Sequence, residues 1–344
     1  EIVWDQRSLQ DFESQPLCEL AEAYDLMVID YPHIGSAIKE ELLVPLDDCG
    51  HGAELAVLAT QSVGPSHRSY QSGGHQWALA LDAATPVASF REDRMQSPPE
   101  HWEQVLELAK TGRVGMPLRA PHALIALIWV AGNSGMEIAA TPTQFIEPNE
   151  MQESLEVLKI LTDLLDPSCF DMDPIAVYES MSSDDAGPHY CPHAYGYVSY
   201  ARSGFRNKRI RFTNVPAIGN TGPAGTALGG TGIAVSSKTA HRRIAADYAF
   251  WVSGAACQST VYFESGGQPG NTAAWESQTC NATSADFFRN TRETLEGAWE
   301  RPHHDGYLDF QEEGSHAVSA FLKEDAGLAQ SAELVNTLYA RSFA

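Results

Sequence analysis

Side chains able to do chemistry are plentiful in this sequence, but few stand at the spacings that a reaction requires. There is no G-x-S-x-G, so the nucleophile elbow of the α/β-hydrolases is missing, and neither H-E-x-x-H nor G-x-x-x-x-G-K-[ST] occurs. Gly230-Thr231-Gly232 falls short of a dinucleotide fingerprint: Val235 stands where the third glycine belongs, and the run precedes a strand instead of following one. His189-x-Cys191-x-His193 would set three metal-ligating side chains on one face of a strand, yet no fourth ligand is visible. His303-His304-Asp305 reads as a polar loop. With 45 acidic residues in the chain, no two carboxylates stand out as the pair that a glycosidase needs. The sequence nominates no catalytic set, no metal ligands and no cofactor site.

Binding chemistry is better represented. Tyr31, Trp77, Trp129, Tyr195, Tyr197, Tyr262 and Trp275 fall near predicted strand ends or glycine turns. Aromatic rings stack on the apolar faces of sugars while Asp, Asn, Arg and Gln hydrogen-bond hydroxyls, and a solute pocket needs both. Asp82 and His33 each follow a strand directly, which makes them better candidates than Trp129, whose apolar helix equally suits a core residue.

These side chains need elements to hold them, and the stretch 223–270 is the most informative. A glycine-rich turn, PAGTALGGTG, leads into the apolar run Ile233-Ala234-Val235, a Ser236–Thr239 turn and a helical pattern, HRRIAADYAFWVSG, stopped by Gly254. Glycine at 229, 230 and 232 allows close approach to the backbone. The helix is expected to bury Ile244, Tyr248, Ala249 and Trp251 or Val252 at i, i+4, i+7 spacing. Upstream, Glu1–Trp4 reads as a strand, which implies a mature or trimmed chain; Phe12–Ala23 reads as a helix, Tyr24–Asp30 as a buried strand and Leu42–Leu46 as another. This rhythm predicts a parallel α/β sheet with ligand at the strands' carboxyl ends, near Arg7, Tyr31 and His33. The strand Gln76–Leu81 leads to a crossing near 83–90, beyond which come a short strand at Val114–Leu118, helices at 122–130 and 149–165, strands within 187–202 and 210–216, and a largely helical tail around a polar span at 299–311.

The 344 residues suffice for about two domains. A net charge of −23 argues against DNA, RNA or an anionic membrane as partner. Six cysteines, at 18, 49, 169, 191, 257 and 280, are spaced like clips across loops if paired in sequence order, with Cys257–Cys280 the best supported disulfide, although 15 pairings are open.

Four segments together resemble the extracellular solute-binding proteins, family 1, of bacterial ABC importers. They are YDLMVIDYPHIG with LLVPLDD (24–48), WALALDAATPVASFRED (77–93), YCPHAYGYVSYAR (190–202) and LGGTGIAVSSKTAHRRIAADYAFWVSG (228–254). The resemblance implies an α/β, two-lobed periplasmic-binding-protein fold, type II-like, with lobes joined by crossing hinge segments. One lobe would be 1–84 plus 230–284 and the other 88–226 plus 288–344, with hinges near 83–90, 226–230 and 284–288. It implies that Tyr31, His33, Asp82, Trp129, Asn133, Tyr195, Gly230, Thr231 and Gln268 line an interlobe cleft. The expected ligand is a sugar or polyol, the expected partner a membrane permease, the expected state a monomer in the periplasm. Members of that family have a further strand and helix before the equivalent of Ile2, which leaves Arg7 a less secure site residue. A quaternary amine held by aromatic rings, an organic acid held by Arg7, Arg119 or Arg202, and a cleft hydrolase or lyase remain the alternatives.

Overall fold

A computed structural model describes residues 2–6, 16–183 and 187–344. After helix α1 (Leu17–Ala23), strand β1 (Leu26–Ile29) leads to α2 (Ile34–Lys39), α3 (Gly52–Thr60) and a small hairpin, β2 (Gln71–Ser72) with β3 (His75–Gln76). Strand β4 (Ala78–Ala84) runs through Thr85 into β5 (Pro86–Arg91). Helices α4 (Trp102–Ala109), α5 (His122–Asn133), α6 (Pro148–Thr162) and α7 (Pro174–Ser183) precede β6 (Tyr190–Tyr195) and β7 (Ile210–Thr213). Then come β8 (Gly229–Val235), α8 (Arg242–Ser253), the short α9 (Thr272–Glu276) and α10 (Gln278–Thr283), α11 (Phe287–Glu296), α12 (Tyr307–Leu322) and α13 (Leu328–Arg341).

The strands form two three-stranded sheets, ordered β1-β8-β4 and β6-β5-β7, and chain continuity through Thr85 joins them. Every pairing is antiparallel. This corrects the expectation of a parallel sheet. Strands β1 and β4 do run parallel to each other, but β8, from far down the chain, inserts between them with reversed direction. The Leu42–Leu46 and Val114–Leu118 stretches make single bridges, Leu43 to Ser236 and Val114 to Tyr190, and are not strands. Residues 2–6 carry no regular structure, and Ile2, Val3 and Trp4 are exposed, so the reading of Glu1–Trp4 as a core strand does not hold for its described residues. Arg7 and residues 12–15 of the expected first helix lie outside the described residues.

Two hydrophobic clusters fill the structure. The larger is continuous through α4–α7, β5–β7 and α11–α13 and reaches back to β1 and α2. The smaller lies between the first sheet and α8, with Leu79, Leu81, Ile233 and Val235 facing Ala245, Ala249, Phe250 and Val252. Helix α8 therefore docks through its alanines, while Ile244 (63% exposed) and Trp251 point outward, Tyr248 lying between Trp4 and Trp251 at ring separations of 6.2 and 5.4 Å. Of the residues the sequence reading expects inside, Ala249 and Val252 are buried and Tyr248 is half-buried, whereas Ile244 and Trp251 are exposed. Small side chains win because they let the helix axis approach the sheet closely.

All six cysteines are free thiols, which overturns the expected disulfides, Cys257–Cys280 included. Cys280 Sγ instead donates to Ser259 O at 3.6 Å, and Cys257 packs in the smaller core. Burial pushes the Cys191 thiol up to about 12, the behaviour of a small hydrophobe. Closeness in sequence order does not set Cβ atoms at bonding distance. Among the described residues, no helix is long and apolar enough to cross a membrane.

Candidate functional site

Three stretches of chain meet where the two sheets adjoin: the β4–β5 passage at Thr85, the approach to β8, and the segment after α11. Thr85 and Thr226 share a hydroxyl hydrogen bond of 2.6 Å, and Thr85 Oγ1 donates to Ala227 O at 3.2 Å. The Gly225 amide donates to Gly297 O (3.0 Å), Trp299 N–H to Thr226 O (2.8 Å) and Leu228 N–H to Trp299 O (2.8 Å). Backbone pairing thus laces the last stretch onto the one before β8.

Tyr31, which follows β1, enters this junction with its ring buried. Its hydroxyl donates to Leu228 O (3.1 Å) and accepts from the backbone N–H (2.8 Å) and Nε–H (3.1 Å) of Arg301. Tyr195, at the end of β6 in the other sheet, donates to the same carbonyl at 3.5 Å. Two predicted site residues, one beside each sheet, therefore converge on Leu228. Arg301 grips both oxygens of Asp30 at 2.9 and 2.8 Å. His33, half-buried, stands close to this pair; burial lowers its pKa, Arg301 adds to the effect and Asp30 opposes it. His303, likewise depressed by burial, sets its ring edge-on to Tyr31 at 5.4 Å. Both imidazoles are neutral at pH 7.

A second group forms on β4 and β8. Asp82 accepts from the Gln268 amide (2.8 Å), from the Thr231 hydroxyl (3.0 Å) and from Tyr262. Burial raises the pKa of its carboxyl, and those three donors oppose the rise. Gly230 pairs opposite Ala83 with φ +120°, and a Cβ there would collide with the Asp82 carbonyl oxygen, so glycine is required. Gln268 ties the halves together: its Nε2 donates to Ala83 O (2.9 Å) and its Oε1 accepts from Val198 N–H (2.8 Å), beyond β6. Asp82 and Thr231 also border a cavity of about 870 Å³ along the free edge of β1, walled by Trp4, Met27, Val28 and Ile244.

Trp129 and Asn133 lie apart from both groups. Trp129 is fully buried on α5, stacked on His193 at 4.7 Å and edge-on to Trp102 at 5.8 Å. Asn133 holds the loop before β8, donating to Gly222 O and Ala224 O (both 2.8 Å) and accepting from Ile218 N–H at 2.6 Å. Of the nine predicted residues, the structure leaves His33, Asp82, Tyr195, Gly230 and Thr231 partly accessible. Tyr31, Gln268 and Asn133 spend their polar atoms on the chain itself. Sequence reasoning missed Asp30 and Arg301. Arg301 sat in a span that looked merely polar, and nothing local marks its partner.

Among the described residues, no group of three His, Cys, Asp or Glu side chains could hold a metal ion. His193, one member of the H-x-C-x-H run, stacks on Trp129 instead. The Asn281 amide of the Asn281-Ala282-Thr283 sequon is buried and donates to Trp275 O (2.8 Å) and Ser277 O (3.0 Å), which leaves it out of reach of modification. The arrangement as a whole offers hydroxyls, imidazoles, two carboxylates, of which Asp30 is paired with Arg301, and glycine backbone where the two sheets adjoin. That inventory suits hydrogen bonding to a polar solute.

No protein-family model matches the sequence, and no curated protein matches it. Solved structures do. The maltose-bound MalE3 of T. maritima superposes with a TM-score of 0.76 over 94% of this chain and 85% of its own, at 13% identity. An ABC transporter solute-binding protein from Agrobacterium radiobacter K84, in complex with ribitol, gives 0.75 over 96% and 87% at 19% identity. UgpB from Mycobacterium tuberculosis, in complex with glycerophosphocholine, gives 0.76 over 97% and 88% at 14% identity. At these identities the likeness shows the fold, an α/β fold of the periplasmic-binding-protein kind.

Proposed function

We propose that this chain is the extracytoplasmic solute-binding component of an ABC importer, and that it takes a sugar or polyol between its two halves. The observation that carries this reading is the likeness along nearly the whole chain to solute-binding proteins, two of them bound to maltose and to ribitol. The halves would be the lobes 1–84 plus 230–284 and 88–226 plus 288–344, pivoting on the stretches that meet at Thr85 and Leu228. Small rotations about a few crossing residues let a solute that touches both lobes favour the closed form. His33, Asp82, Tyr195, Gly230 and Thr231 would meet the solute, and Tyr31, Asn133, Trp129 and Gln268 would hold them in place. The closed form, as a monomer, would deliver its solute to a membrane permease. Arg301 at the seam is already neutralised by Asp30, and Arg202, which also reaches across it, spends Nη2 on Phe263 O, which makes a carboxylate solute the weaker alternative. The glycerophosphocholine bound by UgpB keeps a quaternary amine in the panel.

A thermal-shift screen of maltose, ribitol, other mono- and disaccharides, glycerophosphocholine and betaine tests the reading. One solute is expected to raise the melting temperature by several degrees and to be recovered intact; at about 100 Kd, binding adds about 2.7 kcal/mol. Chemical turnover of the hit would sink the receptor reading.

Asp82→Ala should weaken binding of that hit more than tenfold. It should also lower the melting temperature of the solute-free protein, because the Gln268, Thr231 and Tyr262 donors lose their acceptor at a cost of about 1–3 kcal/mol. Unchanged affinity by titration calorimetry would remove Asp82 from the site.

A further inference from the structure

We infer that Arg301 is a pivot residue, which sets the angle between the two lobes and so tunes solute affinity without touching solute. The inference rests on the receptor reading above.

The guanidinium is only 5% exposed, and its bonds radiate to three separate parts of the fold. Nη2 grips Asp30 at 2.9 and 2.8 Å, at the end of β1 in the first lobe. Nε–H is shared between Tyr31 Oη and Leu228 O, both at 3.1 Å, the latter on the crossing stretch. Nη1 donates to Gln311 Oε1 at 3.2 Å, on α12 of the second lobe, a helix that lies against α5 with Ser315 Oγ accepting from Leu124 N–H at 3.4 Å. The guanidinium also lies 4.7 Å from the centre of the Tyr31 ring.

A planar fork with this many buried partners has one low-energy setting. Releasing Asp30 would leave a bare carboxylate and a bare cation out of water, which the interior resists. Rotation of the lobes is therefore confined to motions that turn about Arg301. Contacts farther from it change instead: the exposed Lys39–Asp305 ion pair (2.6 Å), the Arg68–Glu300 pair and the Gln268–Val198 bond. Because Arg301 lies two residues past Trp299 on the laced stretch, its side chain also fixes where that stretch leaves for α12. A change at Arg301 or Gln311 then shifts the resting angle of the solute-free protein, while the closed form, clamped by solute, keeps its shape.

The test uses Arg301→Lys, which keeps the charge but loses the fork, and Gln311→Leu, which cuts only the tie to α12. Lys110→Ala, which removes an exposed ion pair to Glu107 at the end of α4, serves as the peripheral control. Small-angle scattering is recorded without solute and with saturating maltose or ribitol, whichever the wild type binds, alongside calorimetric affinities. Expected for both pivot variants is a changed solute-free radius of gyration, a wild-type radius at saturation, and an affinity shifted roughly five- to hundredfold. Lys110→Ala should leave all three near wild type. Lower melting temperatures with unchanged scattering and affinity in Gln311→Leu would reduce Arg301 to a structural tie and overturn the inference. If the wild type binds solute without any change in radius, the closing-receptor reading fails and the pivot fails with it. If the wild type closes normally and both pivot variants match it in radius and affinity, the pivot alone fails.

Discussion

Lowering the pH from 7 to 5 is expected to remove on the order of 6 kcal/mol of folding stability, well before most carboxylates take up protons. Three buried histidines drive the loss. Burial lowers His193 to about 3, with the His122 charge adding to the effect. Burial likewise lowers His122 to about 4, where Asp173 opposes and Arg119 reinforces, and it lowers His67 to about 4. In the unfolded chain each imidazole takes a proton near pH 6.5. The folded protein refuses that proton until pH 3–4, so between those limits the unfolded state binds more protons and stability falls with pH. At about 1.4 kcal/mol per pH unit below 6.5, each contributes about 2 kcal/mol by pH 5. Relief of repulsion within a chain of net charge −23 opposes the loss only below pH 5, where carboxylates begin to neutralise. Urea midpoints at pH 7 and 5 read the effect directly. Equal midpoints would mean that these imidazoles protonate in place, and proton resonances of the His193 ring that titrate above pH 5 would show the same. His193→Gln, which cannot charge, should remove about a third of the drop.

How much of this was legible in the sequence depends on the range of the interaction concerned. The strand Gly229–Val235 and the helix after it follow from local glycine, β-branched and alanine patterns, and the passage at Thr85 from the abrupt end of an alternating run. These are short-range features. Which strand pairs with which is not, and so β8 could not be foreseen between β1 and β4. The docked face of α8 was read in part: Ala249 and Val252 are inside as expected, but size was taken for burial at Ile244 and Trp251, and the small Ala245 was passed over. The candidate site divides in the same way. Tyr31 and His33 do follow a strand, β1, as the sequence suggests, whereas Asp82, expected just past a strand, lies within β4. Arg301 was not legible, because its meaning lies in Asp30, 271 residues away. The cysteines erred in the opposite direction: tidy intervals suggested pairs that the folded chain keeps as separate thiols.

Replacing Trp129 by Ala is expected to destabilise the protein by about 3–5 kcal/mol, the range for deleting a large aromatic ring from a packed core. The residue is 0% exposed, enclosed by Trp102 and His193, and α5 around it is buried from Ala123 to Ala131. A ring of that kind cannot present its face to a sugar. Its indole N–H has no hydrogen-bond partner among the described residues, so Trp129→Phe loses only packing and should cost distinctly less than the alanine change. The resemblance to sugar receptors had placed Trp129 in the cleft, and a true stacking platform behaves differently. Its loss would cost roughly tenfold or more in affinity, as aromatic contacts of about 0.5–1.5 kcal/mol beyond their buried area do, with little effect on the solute-free fold. Urea unfolding of the two variants, paired with titration of the solute found by the screen, separates the cases. A large fall in midpoint for Trp129→Ala, with Trp129→Phe binding as tightly as wild type, fits a core residue that supports His193 and, through β6, Tyr195. Affinity lost in both variants at nearly unchanged midpoints would mean that the helix turns this face to the cleft when the lobes open, and that the solute reaches deeper into the second lobe than Tyr195.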